Sequence, residues 1–118
     1  MNKRAALLNE LILLKRPISQ IMHELGPFGW DSDVDLVQLQ KQHVSDLLGR
    51  FIEGDANVSA AIVRAWAEAI EGREDIGFED GSEELLKRTI FELANPEISQ
   101  SLTPARAKQL LDQLGINA

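Results

Sequence analysis

Asp31, Asp33 and Asp35 alternate along the segment GPFGWDSDVDL, at the spacing of the first, third and fifth ligands of a calcium-binding EF-hand loop. The match stops there. The sixth position would be Leu36, where the sharp turn of such a loop requires glycine, and the twelfth would be Gln42, which has no bidentate carboxylate to offer. Calcium binding is not expected. His23 and His43 are the only histidines, and neither sits in an HExxH or Glu-x-x-His arrangement that puts two metal ligands on one helical face. His43 is expected to pair with Asp46 on a helix surface. Neither GxxxxGK[ST] nor GxGxxG occurs, so no backbone loop is built to cradle phosphates. Ser45, Ser59 and Ser82 lie in no nucleophile elbow, and there is no cysteine for thiolate or disulfide chemistry. Carboxylates remain, but a general acid needs an apolar pocket to raise its pKa, and a small helical bundle has few. The expectation is a protein without catalysis, cofactor or metal.

The carboxylates are informative as a field. Between Glu68 and Glu84 stand eight acids, and Arg73 is the one base among them; this stretch accounts for the whole net charge of −7. Such a field repels nucleic acid, whose binders cluster Lys and Arg, and it speeds the capture of a basic protein. Direct nucleic-acid binding is therefore not expected. The residues expected to contact a partner are Glu71, Glu74, Asp75, Glu79 and Asp80, with Asp31, Asp33 and Asp35 alongside. Arg73 is expected to pair with a neighbour such as Glu71 or Asp75. Reversing Glu79 and Asp80 to lysine should slow association while leaving the fold intact. Trp30, in a loop beside three aspartates, could anchor a partner or fold over the core as a lid.

The elements that must position these residues read as helices. The chain of 118 residues, 44% hydrophobic and 26% charged, has the size and composition of one globular domain, residues 1–118. Apolar spacing of three and four recurs nearly throughout, with no sustained period-two alternation, so the expected class is all-α: a compact bundle of five to six helices. The first runs from about Asn2 to Leu14 and stops before Pro17. A short second helix carries Ile18, Ile21, Met22 and Leu25. Residues 26–36 form a loop, and a third helix is expected from about Val37 to Glu53. Ser59 is a good N-cap for a fourth, with Ile62, Val63, Trp66, Ala67 and Ile70 on its core face. Gly81 and Ser82 open a fifth, broken at Asn95 and Pro96, and Thr103 followed by Pro104 marks the start of a sixth. No run approaches the roughly 18 apolar residues of a membrane span, and the N-terminus lacks a signal-peptide pattern, so a cytoplasmic location is expected.

At Trp66–Phe78, WAEAIEGREDIGF, followed by LANPEI at Leu93–Ile98, the chain resembles small acidic immunity proteins of bacterial polymorphic toxin systems, particularly those paired with contact-dependent growth inhibition toxins. The layout is similar too, with a Glu53-Gly54-Asp55 turn ahead of the tryptophan-bearing helix. The resemblance covers about the last 80 residues and implies an antitoxin. Such a protein would bind the C-terminal domain of a toxin one-to-one, often a nuclease, and block its basic active-site groove. Interfaces in these proteins diverge with each toxin, so no binding residue carries over. The alternative is a non-catalytic helical adaptor that binds another protein or itself through the leucine-rich first helix, whose LLNELILL places apolar residues on more than one face.

Overall fold

The computed structural model describes residues 2–115. Six helices dominate it: α1 (Lys3–Leu13), α2 (Ile18–Leu25), α3 (Lys41–Ile52), α4 (Ala60–Ile70), α5 (Glu83–Ala94) and α6 (Pro104–Leu114). Two three-residue strands, β1 (Val37–Leu39) and β2 (Ile76–Phe78), complete it. The all-α bundle expected from apolar spacing is thus the architecture, with one small parallel sheet added. A single turn of 3-10 helix, Gly26–Phe28, follows α2. Among the described residues no helix is long and apolar enough to cross a membrane.

Local chemistry accounts for the helix ends. The Asn2 side chain accepts from Ala5 N at 3.1 Å, Ser59 from Ile62 N at 3.2 Å, and Thr103 from Arg106 N at 3.1 Å, each satisfying a backbone donor with no partner inside its helix. Gly115 closes α6 with φ 72°, the left-handed conformation that glycine adopts without steric cost. At the end of α1 the same left-handed turn falls on a leucine, Leu14, with φ 51°.

The core gathers Leu8, Leu11, Ile21, Leu48, Trp66, Ile70, Leu86, Ile90 and Leu110, all fully enclosed. Helix α4 packs on α5, α3 on α6 and α1 on α2. Trp66 joins α4 to the end of α1, since its Nε1 donates to the Leu11 carbonyl at 2.9 Å and to that of Ile12 at 3.3 Å. A two-pronged ion pair, Arg106 Nε to Glu92 Oε2 at 2.8 Å and Arg106 Nη2 to Glu92 Oε1 at 2.6 Å, ties α6 to α5. Helix α1 lies inside this assembly with Leu7, Leu8, Leu11 and Ile12 buried, and only Leu13 of its apolar residues is left exposed.

The third helix begins at Lys41, four residues later than its expected start at Val37. Val37–Leu39 pairs instead in parallel with Ile76–Phe78, in the register Val37 to Ile76, Gln38 to Gly77 and Leu39 to Phe78. Three residues are too few to display an alternation, and the partner strand is distant in sequence, so the pairing left no local trace. His43 also differs from expectation. Its Nδ1 accepts from Gln40 N at 2.9 Å and caps α3, while Asp46 is engaged by Gln42 Nε2 at 2.7 Å. Burial lowers the His43 pKa, against the opposing pull of Asp46 and Glu79. A histidine whose folded pKa is depressed stabilises the fold fully above its ordinary value near 6.5 and loses that contribution as the pH falls toward the folded value. Urea titrations from pH 7 down to pH 5 should therefore show falling stability, and His43→Gln should flatten that fall.

Candidate functional site

Two acidic segments far apart in sequence are brought together by a buried charge network. Gly72, with φ 83°, turns the chain out of α4 and directs Arg73 inward. The Arg73 side chain is 1% exposed and that of Asp75 is fully buried. Arg73 Nε donates to Asp75 Oδ1 at 2.8 Å and its Nη2 to Oδ2 at 3.0 Å. Arg4 of α1 approaches the same carboxylate, its Nε donating to Oδ2 at 2.9 Å. The two guanidiniums also reach the loop after α2, with Arg73 Nη2 on the Gly29 carbonyl at 3.0 Å and Arg4 Nη2 on that of Asp31 at 2.7 Å. The Arg73 guanidinium further lies 4.6 Å from the centre of the Trp30 ring, a cation–π contact. Backbone bonds finish the seam: Glu74 N donates to the Trp30 carbonyl at 3.1 Å, and Leu36 N to that of Asp75 at 2.8 Å.

Residues 29–36 are thereby laid against residues 73–76, and a broad hollow of about 730 Å³ opens over the outer face of the strand pair. Asp33, Asp35, Glu74, Asp80 and Glu83 line it. Gln38 and Gly77, opposite each other in register, share its floor. The Asp35 carboxylate lies over Gly77, in the space a methyl group there would take. The cations on the lining are Arg73, committed to Asp75, and Lys87, whose Nζ stands 5.8 Å over the Phe78 ring. Among the described residues the hollow therefore presents five carboxylates against one cation outside an ion pair.

The eight residues expected to contact a partner divide. Asp33, Asp35, Glu74 and Asp80 meet around the hollow. Asp31 is exposed beside it without lining it. Glu71 turns toward Asn95, whose Nδ2 lies 3.4 Å from Oε1. Asp75 requires correction as a contact residue, because an enclosed carboxylate bound by two arginines has no surface to offer. It is also the partner of Arg73, settling the choice between Glu71 and Asp75. Glu79 is committed elsewhere as well: its Oε1 accepts from Lys41 N at 2.9 Å and caps α3 from across the sheet. Reversing Glu79 would therefore disturb the fold, contrary to the sequence expectation for the Glu79 and Asp80 pair. Glu79→Ala should cost about 1 kcal/mol, the typical worth of a capping acceptor, while Asp80→Ala, at an exposed residue, should leave the urea midpoint unchanged. Glu83 was overlooked as a site residue. It belongs to the same acidic stretch, but its place in the first turn of a helix offered a sufficient explanation from the helix dipole.

Trp30 is 42% exposed and stacked on Arg73, covering the charge network, and it shares a small cleft with Met22 and Leu25 at the edge of the core. Among the described residues no three His, Asp or Glu side chains form a group able to hold a metal ion. No family model, curated protein or solved structure matches the chain.

Proposed function

We propose that this chain is a non-catalytic immunity protein that receives a basic protein partner in the acidic hollow, the partner being the C-terminal domain of a toxin, a nuclease by preference, held one-to-one in the cytoplasm. The observation carrying this reading is the convergence of Asp33 and Asp35 with Glu74, Asp80 and Glu83 around one hollow. Like charges held together repel one another, so the arrangement is tolerated at some cost and is recovered when cations arrive. A nuclease groove lined with Lys and Arg for phosphates offers such cations, and occupying it would exclude the substrate. The likeness of WAEAIEGREDIGF and LANPEI to immunity proteins supports the same reading. An adaptor working through α1 has less to draw on, because that helix spends its apolar faces on the core.

The test is co-expression with the product of the adjacent upstream reading frame, with a tag on one protein only. Copurification of a one-to-one complex, together with rescue of growth, is the expected result. A neighbour that is not toxic and does not copurify would overturn the proposal.

A further inference from the structure

A second pocket, sharing no residue with the acidic hollow, has the opposite character. It measures about 420 Å³ and lies where the α1–α2 corner meets the α3–α4 connection. Leu14, Pro17, Ile18, Ala56 and Ile62 supply its apolar wall, and Lys15, Arg16 and Arg50 its charge. On a protein of net charge −7, this lining holds, among the described residues, three cations and not one carboxylate.

The carboxylates nearest these cations only partly satisfy them. Arg50 gives its Nε to Asp55 at 2.9 Å, and among the described residues its terminal nitrogens make no hydrogen bond. Arg16 gives one terminal nitrogen to Glu24 and the other to Glu10, and its Nε is buried with no partner among the described residues. Lys15 has no carboxylate within 4.0 Å among the described residues. A buried guanidinium donor without a partner is uncommon in folded proteins. Leu14 adds a second irregularity. It holds a left-handed φ of 51° where glycine is usual, and so turns Lys15 and Arg16 at the corner while keeping an apolar side chain in the wall.

The geometry points to a binding site for a small organic anion, a carboxylate carried on an apolar body. The volume lies in the range of small-ligand sites. Guanidinium edges match carboxylate geometry, and the apolar wall gives the remainder of such a ligand a place that bulk water does not. No step of this inference depends on the toxin reading.

The probe is octanoate, titrated into the full chain by calorimetry, with octylammonium and acetate as controls. Octanoate should bind saturably, while octylammonium, of the same length and opposite charge, and acetate, of the same charge without the chain, should not. Lys15→Gln changes an exposed side chain that makes no ion pair among the described residues, so its fold should be unaffected, and it should weaken octanoate about fivefold, as expected for a partly exposed charge pair. Arg50→Gln should weaken it further. Equal binding of octylammonium would reduce the site to a greasy surface. Equal binding of acetate would reduce it to loose charge, and either result overturns the inference, as would an unchanged affinity in Lys15→Gln.

Discussion

Replacing Asp75 by asparagine should cost about 3 to 5 kcal/mol of folding stability, the usual consequence of removing one partner from a buried ion pair. The substitution keeps the volume and one acceptor oxygen but leaves Arg73 enclosed without a counter-charge. Net stabilities of small domains run to about 5 to 15 kcal/mol, so the variant should be close to unfolding, with a urea midpoint far below that of the wild type. Arg4→Met should cost much less, since the Arg4 side chain is 16% exposed and its loss leaves Asp75 bound by Arg73 at both oxygens. Burial alone would raise the Asp75 pKa, but hydrogen bonds from Arg73 and Arg4 outweigh it, and the net value lies below that of an ordinary aspartate. A carboxylate depressed in the folded state contributes fully above its ordinary pKa and loses that contribution as the pH falls through the lower, folded value. The gap between wild type and Asp75→Asn should therefore hold at neutral pH and close below about pH 4. A loss under about 1 kcal/mol at pH 7 would mean that the network is worth no more than a surface pair.

Reversal of Asp33, Glu74 and Asp80 to lysine should slow association with the proposed basic partner at least tenfold at low ionic strength, by the magnitude of electrostatic steering. The three side chains line the hollow, are exposed, and make no hydrogen bond among the described residues, so the fold should survive. Added salt should shrink the difference, because exposed charges more than about 10 Å apart are screened at 0.1 M. Reversal of Glu53, Glu68 and Asp112, three exposed acids that do not line the hollow and change the net charge by the same amount, separates local from overall charge. It should change the rate far less. Stopped-flow association across a salt series would read both, and equal slowing by the two variants would show that total charge, not the hollow, governs capture.

The helices were legible because their signals are local. Ser59 and Thr103 cap where the sequence suggests, and the apolar spacing from Ile62 to Ile70 marks the face that is buried. The acidic surface was only half legible. Counting charge located the stretch from Glu68 to Glu84, yet a count treats all carboxylates alike, and the roles of Asp75 and Glu79 are set by partners elsewhere in the chain. Arg4 is 71 residues from Asp75, and Lys41 is 38 from Glu79. The adjacency of Arg73 and Asp75 hinted that one acid was spent internally, but that they were buried followed from the approach of α1 and the loop after α2. The meeting of Asp33 with Asp80 depended on the strand pair, which three residues a side could not announce.

That strand pair also sets when the acidic hollow comes into being. Joining residue 37 to residue 76, and Arg4 to Asp75, closes long segments whose entropy must be met before any contact rewards it, whereas each helix can form from neighbours alone. A chain emerging from the ribosome can coil its first helices early, but it has no assembled hollow until β2 has been made and docked. The proposed recognition surface is thus a late product of folding, and a partly made or partly unfolded chain would carry the same acids scattered, without the concave field.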